Sequence, residues 1–272
     1  MTPRILVACE YSGIVRDAFA ARGWDAWSCD LLPTERPGNH HQGDVRDVLY
    51  QDWDLLIAHP PCTYLSNSGV RWLYTPDGDR VEERWRELDA AAAFFNLFQH
   101  TSIPHVAIEN PVMHRHGIER VGGRASQFVQ PYHFGVMETK RTGLRLYNLP
   151  PLVPTHDVEA EMRALPKRDT HKVHYASPGA DRWKERSRTY ECIAQAMADQ
   201  WGPVIEDSVA ALTDMCDCAT LIPVHHMYCD RCQGIQDAIN DPVGRQLVNA
   251  IHARKASAAP VEPSTNQERI MQ

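Results

Sequence analysis

Two residues of this chain could do chemistry together, a thiol and a carboxyl. Cys62 lies in the stretch DLLIAHPPCTYLSNSG, residues 54–69, directly behind Pro60 and Pro61. Asp54 to Ala58 reads as a short buried strand, and prolines, which cannot donate to a β-ladder, must end it. Cys62 is thereby placed on a loop at a strand exit, the edge at which open α/β sheets take their ligands. A thiolate there, beside a helix that could follow, is suitably placed as a nucleophile. Glu109 lies in PHVAIENPV, residues 104–112, another buried run closed by a proline. A thiol and a carboxyl at two strand exits are hard to account for by packing. Cys9, Cys29 and Cys192 read instead as small core residues.

A second chemical cluster is CDCATLIPVHHMYCDRC, with Cys216, Cys218, Cys229 and Cys232 in a Cys-x-Cys and a Cys-x-x-Cys pair ten residues apart. Four thiolates at this spacing suit a tetrahedral structural Zn2+, with a redox or disulfide pair as the alternative. The segment is too short to bury a core, so bound metal would supply most of its folding free energy, about 10 kcal/mol or more. Catalytic zinc is disfavoured because no open position or neighbouring acid is evident.

The elements that must hold Cys62 and Glu109 alternate. RILVACEYSG is a strand and tight turn, IVRDAFAARG a short amphipathic helix ending on Gly23, and WDAWSCDL a second strand ending on Asp30. A loop follows, LLPTERPGNHHQ, then GDVRDVL, a short turn or helix carrying Asp44. Residues 80–100 predict a long helix rich in Ala, Glu and Leu. Such alternation predicts an α/β protein with a doubly wound, Rossmann-like parallel sheet. FVQPYHFG and GLRLYNL predict strands of a mixed region. The proline-rich stretch that follows reads as mostly loop. RTYECIAQAMADQWG predicts a helix that ends at Trp201-Gly202, with PVIEDSVAALTDM resuming after a break. The expected organisation is a catalytic domain over 1–203, a helical zinc-binding appendage over 204–256 and a disordered tail over 257–272.

With 272 residues, 43% hydrophobic and 23% charged, the chain has an ordinary globular composition. No apolar run reaches the roughly 18 residues that span a bilayer. The opening MTPRILVACEYSG passes straight into a strand pattern, and eight cysteines without a leader predict a reduced, cytoplasmic setting. Net charge is −7, yet His114 to Arg188 holds 14 Lys/Arg against 8 Asp/Glu, net +6, leaving 14 against 27, net −13, elsewhere. A basic segment in an acidic protein fits a phosphate-facing surface, or an ordinary solvated face.

Glu10, Gly13, Asp30 and Asp44 fall at successive strand ends. A doubly wound sheet holds a nucleoside-bearing cofactor in this way, with a turn for close approach and an acid for ribose hydroxyls. The chain has no phosphate-cradling Gly-rich loop with Lys, which argues against a nucleoside triphosphate.

With PPCTYLS and ENP in view, the chain resembles the DNA (cytosine-5)-methyltransferases. PPCTYLS matches the family's Pro-Cys nucleophile motif, and Glu109-Asn110-Pro111 its Glu-Asn-Val motif. CEYSGIVRDAF loosely matches its aromatic, Gly-rich first cofactor motif. The likeness runs over roughly the first 200 residues and is sharpest at Cys62 and Glu109. It implies an S-adenosylmethionine-dependent methyltransferase fold and S-adenosyl-L-methionine bound by Glu10, Tyr11, Gly13, Asp30, Asp44, Pro60, Ser187 and Arg188. It implies that Cys62, Glu109 and Lys140 are catalytic, and that DNA is met by Ser66, Arg141, Arg145, Lys167, Arg168 and Lys172. The activity implied is methyl transfer to carbon 5 of cytosine in DNA through a covalent Cys62 adduct.

Three departures from the family pattern qualify this. Glu138-Thr139-Lys140-Arg141-Thr142 replaces a Gln-x-Arg-x-Arg strand, so a point charge stands where the family has a guanidinium fork. Only residues 148–185, about 38 in number, are available to read the target, which predicts short or relaxed sequence preference. Compact phage-type relatives resemble this form, and a phage or prophage origin in a bacterial host is expected. Arg186-Ser187-Arg188 replaces Gly-Asn-Ser beside the transferred group. A cation there could pair with a carboxylate on carboxy-S-adenosyl-L-methionine and so install a carboxymethyl group, or could simply meet a phosphate. Two further readings stay open: the same chemistry on a free cytidine nucleotide, and a catalytically silent nucleic-acid-binding zinc protein. An amino-group methyltransferase would require an aromatic residue where Cys62 stands.

Overall fold

The computed structural model describes residues 2–175 and 182–214. Thr2–Ile205 belong to one compact unit, and the end of the last described helix belongs to another. The four cysteines expected to hold zinc and the expected tail lie outside the described residues.

Seven strands make one sheet: β1 (Arg4–Ala8), β2 (Asp25–Asp30), β3 (His40–Gln42), β4 (Leu55–Ala58), β5 (His105–Pro111), β6 (Gln127–Val129) and β7 (Thr142–Tyr147). Their order is β3-β2-β1-β4-β5-β7-β6. The first five run parallel, and β7 enters antiparallel between β5 and β6. From β1 the chain steps outward through β2 to β3, then returns to lay β4 and β5 on the other flank. The order therefore reverses between β1 and β4, and the crevice beyond their C-terminal ends is the ligand position of such a sheet. Cys9–Gly13 leave β1 there, and His59–Cys62 leave β4.

The central strands are apolar throughout because both faces are covered. Leu6, Ala8, Leu56, Ala58, Val106 and Ile108 share a core with α2 (Glu82–Gln99), which contributes Trp85, Leu88, Ala91, Ala92, Phe95 and Phe98 at helical spacing. Glu82 and Glu83 in its first turn suit the helix dipole. Helix α1 (Ile14–Ala20) packs on β1 and β2. Short helices α3 (Arg115–Arg120), α4 (Glu159–Arg163), α5 (Lys167–Thr170), α6 (Lys172–Tyr175) and α7 (Arg182–Ser187) precede α8 (Glu191–Asp214).

Three expectations are corrected. His40–Gln42, expected as loop, is an edge strand, because its backbone pairs with Ser28–Asp30 of β2. The stretch expected as mostly loop winds into α4 to α7. The helix expected to break after Trp201-Gly202 continues through Pro203 as α8. Pro203 forfeits one backbone bond, but Trp201 and Ile205 on either side are wholly buried and hold the turn helical. Gly202 is required there: a Cβ would collide with the ring of Trp24. Among the described residues no helix is long and apolar enough to cross a membrane.

Candidate active site

Strand register decides which side chains meet at the crevice. Ala8 pairs with Ala58, and Ala58 with Ile108. One step further on, His59 and Glu109 are therefore lateral neighbours on the same face of the sheet, whereas Cys9, at φ +58°, turns toward the Ala8 face. His59 donates its backbone N–H to Ala8 O at 2.9 Å, which extends the ladder by one residue before Pro60 stops it. Its ring nitrogen Nδ1 lies 3.5 Å from Glu109 Oε2.

Beyond the prolines, Cys62 begins a single tight turn, its carbonyl accepting from Leu65 N and Ser66 N. No helix of any length follows at once; the next element is a 3-10 turn at Val70–Leu73. The thiol thus lacks the helix N-terminus that the sequence suggests. The turn is fixed by the chain after β5: Asn67 N bonds Val112 O, His114 N bonds Leu65 O, and His114 Nε2 meets Tyr64 O at 2.8 Å. His114 is buried and its other nitrogen accepts from Gly117 N, so it staples the Cys62 loop to α3. Burial holds its pKa below the ordinary histidine value.

The electrostatics of Cys62 tie the site together. Its thiol is pushed up to about 11, first by burial and then by the negative charge of Glu109, while Lys140 and Arg186 pull it down. Lys140 is held below the ordinary lysine range by burial, with Glu109 and Cys62 opposing. Lys140 Nζ donates to Arg188 O at 2.8 Å. Cys62, Glu109 and Lys140 thus converge in one electrostatic neighbourhood, with Arg186 at its edge.

The cofactor-side residues are largely occupied by the protein itself. Glu10 is buried, and its carboxylate accepts from Val15 N at 2.6 Å and Arg16 N at 3.2 Å. It caps the first turn of α1, a use of its oxygens that competes with any ligand. Gly13 sits at φ +72°, where a side chain would be strained and would also strike the Arg16 guanidinium. Arg16, only 1% exposed, bonds Asp17, Ser28, Thr34 and the carbonyls of Arg36 and Pro37. This buried fork, invisible as such in the sequence, fastens the first turn to β2 and the loop after it. Asp44 caps the 3-10 turn Val45–Asp47 and accepts two bonds from Arg46.

Asp30 differs. Its Oδ1 accepts from Leu32 N, yet burial still raises its carboxyl above the ordinary aspartate value. A buried carboxylate at this strand end is placed to accept from the hydroxyls of a ribose. Cys9 also faces this end: it adopts φ +58°, and the charges of Asp30 and Asp44 bear on its thiol, which burial raises well above the ordinary range. The sequence marked it only as core; its backbone strain is the signal that a strand pattern hides. Pro60 is buried at the β4 exit.

The far wall of this cleft comes from α7. Tyr11 Oη bonds Lys184 O and Ser187 Oγ, both at 3.1 Å. The Arg188 guanidinium grips both oxygens of Glu35 at 2.6 and 2.7 Å, which raises its pKa. Arg188 is therefore already paired, and of the two arginines expected beside the transferred group it is Arg186 whose charge reaches Cys62.

The residues expected to meet DNA separate into two groups. Lys167 and Arg168 are exposed on α5, and Arg141 is exposed with its guanidinium 4.2 Å from the Phe128 ring centroid. Lys172 is exposed but paired with Glu138 at 2.6 Å. Arg145 is turned inward: it donates to Gln99 Oε1 and to the carbonyls of Val121 and Arg124, so it braces β7 against the α2–α3 side. Ser66 is buried with its hydroxyl 2.8 Å from Ser68 Oγ. The polar groups of both residues already make contacts within the fold.

No family model matches the chain, and no curated protein matches it. Among solved structures it is similar to a protein described as a DNA modification methyltransferase encoded within an E. coli prophage, at TM-score 0.35 and 13% identity over 53% of this chain and 46% of that one. It is similar also to the S. pombe Dnmt2 methyltransferase, at TM-score 0.31 and 13% identity over 74% of this chain and 65% of that one. The chain thus spans less than two thirds of either neighbour's length, and neither likeness is close enough to assign a family or an activity.

Proposed function

We propose that this protein transfers a methyl group from S-adenosylmethionine to carbon 5 of cytosine in DNA, by way of a covalent Cys62 adduct. The observation that carries the reading is that Cys62, where the chain leaves β4, lies within reach of the charges of Glu109 and Lys140. A thiol with a pKa near 11 is a poor nucleophile at neutral pH. The same surroundings supply the remedy: moving one proton from Cys62 to Glu109 makes the thiolate and removes the negative charge that opposes it. Lys140 and Arg186 then stabilise the thiolate.

That protonation state is the one the chemistry requires. The Cys62 thiolate bonds to carbon 6 while Glu109 delivers its proton to ring nitrogen 3, leaving an enamine nucleophilic at carbon 5. S-adenosylmethionine, held by Asp30, the Cys9–Gly13 turn and Pro60, would supply the electrophilic methyl group. After transfer a base removes the carbon-5 proton, the Cys62 sulfur is expelled, and the nitrogen-3 proton returns to Glu109. A base inside a duplex must first leave the stack, at a cost of a few kcal/mol. Lys167, Arg168 and Arg141 supply exposed cations for phosphates but little scaffold for base edges, in keeping with relaxed target preference.

The test is covalent trapping on DNA containing 5-fluorocytosine, in which fluorine at carbon 5 blocks release. A protein–DNA adduct with the wild type and none with Cys62→Ala supports the reading; no adduct with the wild type ends it. Steep loss of DNA affinity with rising salt distinguishes DNA from a free nucleotide as substrate.

A second reading concerns the donor. Arg186 brings an exposed cation to bear on Cys62 while Arg188 is held by Glu35, so Arg186 is the group to meet a carboxylate on carboxy-S-adenosylmethionine. Nucleoside mass spectrometry of modified DNA decides: 5-carboxymethylcytosine supports it, and 5-methylcytosine alone sinks it. The structural zinc expected at Cys216, Cys218, Cys229 and Cys232 is tested separately, by one equivalent of zinc in the purified protein.

A further inference from the structure

His59 stands between the two halves of the crevice, with Glu109 beside it across the ladder. Its side chain is 9% exposed, and neither ring nitrogen has a hydrogen-bond partner among the described residues. A buried imidazole with both nitrogens unsatisfied is costly, and such groups persist where they serve a task. The polar atom nearest to satisfying it is Glu109 Oε2, 3.5 Å from Nδ1, a few tenths of an ångström beyond a hydrogen bond. Catalytic hydrogen bonds are often long without ligand and tighten when the site closes. The backbone leaves His59 little choice of direction, since its N–H is tied to Ala8 O and Pro60 follows directly.

We propose that His59 is a positioning residue for Glu109, an inference that rests on the reading of Glu109 as the acid. A neutral imidazole protonated at Nδ1 donates to Glu109 Oε2 and fixes the carboxyl plane. The carboxyl proton is then confined to Oε1, the oxygen left to face ring nitrogen 3 of the bound base. Nothing is oxidised or reduced, and the imidazole proton stays on His59 throughout. A phenylalanine at position 59 would keep the ring and lose the donor; an asparagine would keep a donor near the place of Nδ1.

The experiment compares rates of adduct formation on 5-fluorocytosine DNA for the wild type, His59→Phe, His59→Asn, Glu109→Gln and the double variant His59→Phe/Glu109→Gln. Misplacing a reacting group by about an ångström costs up to about 100-fold, and His59→Phe is expected to slow the adduct by about 10- to 100-fold. Affinity for S-adenosylmethionine and for DNA should be unchanged, and His59→Asn should recover most of the rate. The double variant should be no slower than Glu109→Gln alone, because a residue that acts through Glu109 has nothing left to act on. A His59→Phe rate equal to wild type, or a double variant slower by the product of the two single effects, overturns the inference and leaves the Cys62 reading intact. Absence of adduct with the wild type overturns both. If His59→Phe proves unfolded by its melting curve, His59→Leu, which also removes the donor, alone and combined with Glu109→Gln carries the same comparison.

Discussion

The two flanks of the crevice handle polar groups in opposite ways. On the β1–β2 flank almost every buried polar atom has a partner within the protein. Glu10 caps α1, Arg16 spends its guanidinium on a neighbouring carboxylate, two hydroxyls and two carbonyls, and Asp44 is taken by Arg46. On the β4–β5 flank the opposite holds: His59 has two unpaired nitrogens, and the thiol of Cys62 is destabilised as an anion by the carboxylate beside it. A satisfied network builds a rigid wall, whereas unsatisfied groups are held ready for something that arrives from outside. On the proposed reading, chemistry belongs to the second flank and shape to the first.

Removing Cys62 is the severest test of that division. Cys62→Ala should abolish both adduct and modified cytosine, while Cys9→Ala, on the wall side, should leave the adduct intact; equal loss in both would erase the contrast. Next in size is Glu109→Gln, which keeps the shape and loses the transferable proton. General acid–base groups contribute about 100- to 10,000-fold, and a loss of that order is expected in single-turnover assays.

On the wall, the expected effect is on stability. Arg16→Met leaves Asp17, Ser28, Thr34 and two carbonyls without their donor and should cost about 2–4 kcal/mol in a denaturant titration. Arg16→Lys should recover little of this, because an ammonium cannot imitate the fork. An Arg16→Met protein as stable as wild type would show that the wall is not held as described. The smallest effect sharpens the chemical side. With its pKa near 11, Cys62 carries little thiolate at neutral pH. Its alkylation by iodoacetamide, followed by peptide mass spectrometry, should therefore speed up about tenfold per pH unit between pH 7 and 10. Lys140→Met removes a cation that favours the thiolate and should slow alkylation at every pH in that range. A flat profile would mean a thiolate already formed in the free protein, contrary to the burial that raises its pKa.

How much of this is legible in the sequence depends on the range of the interaction. The strand exits at Pro60 and Pro111 are legible because proline acts locally and both runs before them are apolar. Alternating elements make the doubly wound sheet legible in the same way. His40–Gln42 is not, since three polar residues become a strand only through a partner already in place. His59 is silent in sequence because its meaning comes from the register of β4 against β5, fifty residues apart. Arg16 is silent for a related reason: on a short amphipathic helix an arginine reads as solvated, and only the closing of the loop after β2 buries it. Arg145 and Ser66 show the converse. Their types suit phosphate contact, and only the folded chain shows their polar groups already in use.

The tie between Tyr11 and Ser187, and that between Glu35 and Arg188, join positions 176 and 153 residues apart. Both belong to the wall of the crevice, so a nascent chain emerging from the ribosome can lay down β1 to β5 long before that wall exists. That side of the crevice is completed only when residues 184–188 have left the exit tunnel. A chain halted before them would present Cys62 on an unfinished cleft.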